Sequence, residues 1–412
     1  MPDFTSTEWK KIFRLLDADP KIYGIPERRS RSVVMASWNI RKFGQLTNSR
    51  KEPSRTVGAW DLLVQFCKAC DFIAIQEVQD SLESVRELVN RLGDDYGLLV
   101  SDIAGGVPGE RSMRERLAFV FNRKRVVPTE LASDISFERS ALLESLYEHR
   151  DEFLDAFQSR VEQLDEWELK NEMRRAAGKR RLSKPPFVLP RFIQFIRSPH
   201  MASFIVPAIQ DHIEPYEFVA INAHLLYGDK SKQKIERELE FKALLAWLIE
   251  RSRERDRKYA RNMMLFGDLN LDFEKSDIRR KAISKFIIDL NSKQLKGAPV
   301  KVNFPFIDQH PAASDVFRTN ARRDQTYDHI AIFADDDRLP PSSQNDEAGK
   351  TADGYDYGMF DFVQLFFDAF PSLLNVSRRS RYSKFEYDVS DHMPIWIRLP
   401  RPHEGQQEYR WY

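Results

Sequence analysis

Apolar and polar positions along this chain follow two rhythms. Residues 33–39, 72–77, 117–121, 218–223, 263–266, 330–333 and 393–397 are short, nearly continuous apolar runs. Such runs predict strands buried on both faces. Elsewhere apolar residues recur every three or four positions, which predicts helices with one buried stripe. Thr5 and Glu8 stand at capping-box spacing ahead of Trp9, Ile12, Phe13 and Leu16, so a first helix should end near Asp19-Pro20. Leu82, Val85, Leu88, Val89 and Leu92 predict another helix, and more are expected after Ser231 and around residues 277–290. Strands and helices alternate over most of the chain, which argues a layered α/β fold. No internal repeat is visible in the sequence.

Residues 134–186 break this alternation. They hold 12 acidic and 10 basic residues, and Leu143, Leu146, Phe153, Phe157, Val161 and Leu164 are spaced for one helix face. The basic residues crowd the end, at Arg174, Arg175, Lys179, Arg180, Arg181 and Lys184, before Pro185-Pro186. This reads as a helical insertion, at about 130–190, between two strands of the main domain.

Composition narrows the function classes. The 412 residues carry 64 Lys+Arg against 63 Asp+Glu, a net charge of +1. No global footprint for polyanions exists, so any anion must be met by a local cluster. No apolar run approaches the roughly 20 residues of a membrane span. The start, Met1-Pro2-Asp3-Phe4, does not read as a signal peptide, and the expected location is the cytoplasm. Two cysteines rule out a disulfide scaffold. Cys67 and Cys70 read as part of a half-buried helix face rather than a redox or zinc motif.

The candidate chemistry sits at the strand ends. Asn39 closes the first strand, Glu77 the second, and His224 the run at 218–223. Asp268 and Asn270 follow the run at 263–266, and Asp328-His329 and Asp391-His392 open late strands. Carboxylates, amides and imidazoles would therefore line one rim of a sheet core. Desolvating so many polar groups is costly unless they satisfy one another or a cation. Oxygen donors suit Mg²⁺ or Mn²⁺, with Glu77, Asn39 and Asp391 as ligands. Zinc is disfavoured because ligand-spaced Cys and His groups are missing. The imidazoles are then free to prepare a water or to donate to developing charge.

Six motifs carry a family resemblance: Ser37-Trp38-Asn39-Ile40, Ile75-Gln76-Glu77-Val78, Asn222-Ala223-His224-Leu225, Phe266-Gly267-Asp268-Leu269-Asn270, Thr326-Tyr327-Asp328-His329-Ile330 and Ser390-Asp391-His392-Met393-Pro394. In this order, over about residues 33–398, they resemble the endonuclease/exonuclease/phosphatase superfamily, the deoxyribonuclease I-like enzymes. The resemblance implies a four-layer α/β/β/α sandwich of two mixed sheets. It implies a metal held by Glu77 with Asn39 and Asp391 nearby. It implies Asp268 as the residue that orients or deprotonates the attacking water, and Asn270 as the amide that holds the scissile phosphate. His392 would be the catalytic histidine, oriented by Asp328, and His224 a second histidine, oriented by Glu115. Gln79 and Met113 stand where deoxyribonuclease I itself has Arg and Tyr. Thr326-Tyr327-Asp328-His329 replaces the Trp, Cys and Arg signature of phosphoinositide phosphatases.

The expected organisation is an N-terminal helix and linker (1–30), a catalytic domain (31–400) with the helical insertion, and a C-terminal tail (401–412). The expected activity is a divalent-metal-dependent phosphodiesterase, with nucleic acid as the substrate. A phosphatase or phospholipid phosphodiesterase on the same core, or an idle binding module, are the alternatives. Arg378, Arg379, Arg381 and Lys384, interleaved with Tyr382 and Phe385, suit contact with substrate phosphates. A protein partner could use the insertion.

Overall fold

A computed structural model describes residues 4–47, 54–102, 115–135, 147, 150–185, 197–225, 227, 231–253, 262–271, 285, 289, 301–307, 317–334, 336–340, 356–375, 377, 382 and 385–406. The chain order is α1 (Ser6–Ala18), β1 (Ser32–Phe43), α2 (Val57–Lys68), β2 (Phe72–Val78), α3 (Glu83–Leu92), β3 (Tyr96–Val100), β4 (Arg116–Asn122), β5 (Val127–Asp134), α4 (Arg150–Ala176), β6 (His200–Val206), β7 (Tyr216–His224), α5 (Ser231–Arg253), β8 (Met263–Asp268), β9 (Lys301–Asn303), β10 (Asp328–Ala334), β11 (Asp356–Met359), α6 (Phe362–Ala369) and β12 (Ile395–Pro400). The Thr5–Glu8 capping box forms as expected: Thr5 Oγ1 accepts from the Glu8 N–H, and Glu8 Oε2 accepts from the Thr5 N–H. The helix expected at 277–290 lies outside the described residues, apart from helical Lys285 and Asp289.

The strands form two six-stranded mixed sheets, ordered β11-β12-β1-β2-β4-β3 and β5-β6-β7-β8-β10-β9. Each sheet has one parallel pair at its centre, β1 with β2 and β7 with β8, and the remaining pairs are antiparallel. The apolar runs explain the layering. On β1, Val33 and Met35 join the core between the sheets, while Val34, Ala36 and Trp38 join the core under α1, α2, α3 and α6. On β8, Met264 and Phe266 face between the sheets, while Met263 and Leu265 meet α5. Successive side chains of a strand point to opposite faces, so burial on both faces needs an apolar residue at every position. Phe72, Phe119, Phe204, Phe218 and Phe266 form one aromatic cluster between the sheets.

The structure extends and corrects the sequence reading. The strand expected at 33–39 runs from Ser32 to Phe43. Cys67 and Cys70 are fully buried rather than half-buried, and desolvation pushes both thiols up. Between β5 and β6, the described part of the insertion is the 27-residue helix α4 and the segment returning from it; Leu143 and Leu146 lie outside the described residues.

Candidate active site

The polar strand ends meet at one end of the sandwich. The backbone there is shaped for the purpose. A bulge interrupts the β2–β4 ladder between Ile75 and Val78, and Glu77 takes φ +60° within it. After β8, Asn270 takes φ +51°. Left-handed non-glycine residues are uncommon, and they concentrate where side chains must be aimed. Gly267 lets β8 approach β7 here, since a Cβ would lie 1.9 Å from the Ala223 carbonyl oxygen.

Asp268 is the hub. Its Oδ2 accepts from Asn39 Nδ2 at 2.9 Å and lies 3.6 Å from Nε2 of both His224 and His392. Its Oδ1 accepts from the Asn270 N–H at 2.9 Å. Both sheets thus contribute to one carboxylate that is 1% exposed. Asn270 Nδ2 donates to the Leu225 carbonyl at 3.0 Å. An amide has two N–H donors, so one is left for a phosphate oxygen.

The two imidazoles are held differently. His392 Nδ1 lies 2.8 Å from Asp328 Oδ2. Burial acts to lower the His392 pKa, but the Asp328 and Asp268 carboxylates outweigh it and hold the imidazole well above its ordinary value. His224 Nδ1 lies 3.3 Å from Glu115 Oε2. Glu115 in turn meets Arg197 Nε at 2.6 Å. Burial pushes the Glu115 carboxyl up, yet His224 and Arg197 bring it below the usual carboxylate range.

The third group faces the first sheet. Asn39 Nδ2 also donates to Glu77 Oε1 at 3.2 Å, and the Lys42 N–H donates to Glu77 Oε2 at 2.9 Å. Burial and the charge of Glu77 push the Asp391 carboxyl up, against the opposing pull of His392 and Arg41. Asn39 Oδ1 and Asp391 Oδ1 are buried with no hydrogen-bond partner among the described residues. Leaving buried acceptors unmet is costly, and a hard cation is the group that would satisfy them beside Glu77. Asp268, Asp328 and His392 also come close enough to surround an ion. We favour the Glu77 side, because Asp328 Oδ2 already engages His392 Nδ1 and Asp268 Oδ2 already accepts from Asn39.

Sequence reading missed several supports. Ser390 Oγ donates to the Asn39 carbonyl at 2.7 Å and accepts from the N–H groups of Arg41 and His392, fixing β1 to the Asp391–His392 loop. Gln76 Nε2 donates to Asn222 Oδ1 at 2.7 Å across the sheets. Asn222 Nδ2 donates to the carbonyls of Ile75 and Ala118 at 3.0 Å. Gln76 and Asn222 stood inside the quoted motifs, and a polar residue within an apolar run was the available signal. Arg197 gave none. His329 and Tyr327 take packing positions, with His329 bonded to the Thr326 carbonyl and the Tyr327 ring 6.1 Å from His392. Arg378, Arg379 and Arg381 lie outside the described residues.

No protein-family model and no curated protein matches the chain. Among solved structures it is similar to the human Nocturnin catalytic domain with bound sulfate anion, at 10% identity and TM-score 0.44, over 90% of this chain and 94% of that one. An endonuclease/exonuclease/phosphatase family protein from Bacteroides thetaiotaomicron is similar at 12% identity and TM-score 0.43, over 92% and 98%. ANGEL2, a 2',3'-cyclic phosphatase, in complex with adenosine-2',3'-vanadate, is similar at 12% identity and TM-score 0.44, over 90% and 96%. Two mixed sheets face to face, with helices on both outer faces, give this chain a four-layer α/β/β/α fold that carries the six ordered motifs on one rim.

Proposed function

We propose that this chain is a divalent-metal-dependent phosphodiesterase whose substrate is nucleic acid. One observation carries the reading: a single buried carboxylate, Asp268, reaches two imidazoles and two amide residues delivered by both sheets. That constellation suits water attack on a tetrahedral anion. Asp268 Oδ2 takes the proton of the attacking water. His392, oriented by Asp328 at Nδ1, offers its Nε2–H to the leaving oxygen or to the phosphoryl oxygens. His224 and the second Asn270 N–H stabilise non-bridging oxygens as charge builds. Glu77, Asn39 and Asp391 would hold Mg²⁺ or Mn²⁺, which when bound polarises a phosphoryl oxygen and offsets its charge.

The test is a cleavage assay on purified protein. Supercoiled, linear and single-stranded DNA, RNA, 2',3'-cyclic phosphates and sugar phosphates are offered with Mg²⁺, Mn²⁺ or chelator, beside an Asp268→Ala control. The expected result is metal-dependent cutting of DNA or RNA that disappears in the control. Turnover of small phosphoesters alone would move the assignment to a phosphatase. Unchanged cutting in chelator would overturn the metal.

A further inference from the structure

The proposed activity does not use the inserted helix α4, which lies between β5 and β6. Two features mark it. The first is apolar exposure: Leu154, Phe157, Val161, Leu169 and Met173 are each 52–62% exposed. The segment after the helix folds back along another side. There Trp167 Nε1 donates to the Leu182 carbonyl, Arg160 to the Pro185 carbonyl, and the Leu182 N–H to Asn171 Oδ1. Arg181 stacks on the Trp167 ring at 4.6 Å. Residues 160, 167, 171 and 174 thus receive the returning segment, while the stripe through Leu154, Val161, Leu169 and Met173 is left open to water.

The second feature is charge. Residues 151–168 hold seven acidic residues and one basic residue, Arg160. Residues 170–184 hold seven basic residues and one acidic residue, Glu172. The helix start, with Asp151, Glu152 and Asp155, is negative and the far end, with Arg174, Arg175, Lys179 and Arg180, is positive, while Arg181 and Lys184 return beside the middle of the helix. The helix dipole accounts for charges in the first and last turns only. It does not explain Asp165, Glu166 and Glu168 in the middle, nor Lys179, Arg180, Arg181 and Lys184 beyond the helix end.

We propose that this hairpin is a self-association surface and that its partner is a second copy of the chain, packed antiparallel. A two-fold axis near residues 163–164 sets Leu154 against Met173 and Phe157 against Leu169 of the other copy. The same register lays each acidic half along the other's basic half. A parallel pairing would set like charges together along the full length, which is disfavoured. A nucleic acid would fit only the basic half and would be repelled by the other. A 27-residue helix spans roughly 40 Å, enough for an elongated two-helix interface.

The experiment uses the full chain and three variants. Molar mass is measured by light scattering and by sedimentation from about 1 to about 100 μM, the range in which an interface of this kind should associate. The wild type should shift from monomer to dimer, and the midpoint should rise with salt. Phe157→Glu with Val161→Glu should remain monomeric at every concentration, with helix content and phosphoesterase rate unchanged. The decisive pair reverses charge. Asp151→Arg with Asp155→Arg makes one hairpin net basic with a basic helix start, and Arg175→Glu with Lys179→Glu makes another net acidic with a less basic far end. Each alone should associate at least about tenfold more weakly than wild type, and an equal mixture should associate again. A wild type that stays monomeric throughout overturns the proposal, as does a dimer that survives the Phe157 and Val161 changes. Failure of the mixed variants to associate while the wild type dimerises overturns the antiparallel register.

Discussion

The two sheets share one plan and bring different polar groups to the site. Each runs from an edge strand to a neighbour, then a parallel central pair, then a second neighbour and edge. In each, the central pair is joined through a helix, α2 in the first sheet and α5 in the second, and the final hairpin enters at the edge strand. Each half also places a left-handed residue after or at the end of its second parallel strand, Glu77 in one and Asn270 in the other. Yet Asp268 of the second sheet is surrounded by donors, whereas the first sheet gathers Glu77, Asp391 and unmet acceptor oxygens. The lesson is that a scaffold can be duplicated while its electrostatics diverge. In the proposed reaction the second sheet supplies the base, Asp268, while the first supplies His392 and an excess of negative charge that a cation would complete.

The largest expected effect follows from Asp268, where the halves meet. Asp268→Ala should lower kcat by about 10⁴-fold, near the upper limit for one acid–base group. His392→Ala should lower it by about 10²–10⁴-fold without unfolding the protein. Asp328→Asn should cost less than His392→Ala, because the imidazole remains in place and loses only its orienting charge. All three are read from single-turnover kinetics, with circular dichroism to confirm the fold. An Asp268→Ala enzyme with wild-type turnover would break the division of labour between the sheets.

Glu77→Gln sharpens the comparison from the other side. It keeps the shape and removes one negative charge next to Asp391. Mg²⁺ affinity should fall by at least about tenfold, measured by calorimetry or by metal-dependent melting. The metal-free variant should melt at a higher temperature than metal-free wild type, because two carboxylates no longer repel within a buried site. Asp268→Asn should not stabilise the metal-free protein, since its carboxylate faces donors. The reverse result, Asp268→Asn raising the metal-free melting temperature and Glu77→Gln not, would mean that the negative excess has been placed in the wrong half.

Much of this was legible in the sequence, and the misses share a cause. Strands buried on both faces announced themselves as apolar runs, and the site residues lay at their ends. All four edge strands, β3, β5, β9 and β11, went unread. They are short or half-exposed, as in β5, whose Val127–Asp134 is largely open to solvent. An edge strand is specified by its neighbour's hydrogen-bond ladder rather than by its own side chains, so its local pattern is weak. β6 was missed because Ser203 and His200 interrupt it, and each finds its partner on the adjacent edge strand β5, at Thr129 and Asp134. Glu115 was found only through family resemblance, and Arg197, its ion-pair partner 82 positions away, was not found.

Asn222 shows how the halves are kept in register, and gives the smallest predicted effect. The bulge that aims Glu77 opens the β2–β4 ladder after Ile75 and Ala118. The carbonyls of both residues receive hydrogen bonds from the Asn222 amide, which projects from β7 of the opposite sheet. A bulge buried between two sheets would otherwise strand those acceptors. Asn222 therefore makes the distortion of one half tolerable from within the other. Asn222→Ala should cost about 1–3 kcal/mol of stability in denaturant unfolding. Below its melting temperature it should keep its hydrolytic rate to within about tenfold at saturating Mg²⁺, with the loss falling on Mg²⁺ affinity because Glu77 is less firmly aimed. Gln76→Leu with Asn222→Leu should cost less than the sum of the single changes, since both partners of one bond leave together. Additive losses would mean that the bond between the sheets contributes nothing, and that Asn222 acts on the bulge alone.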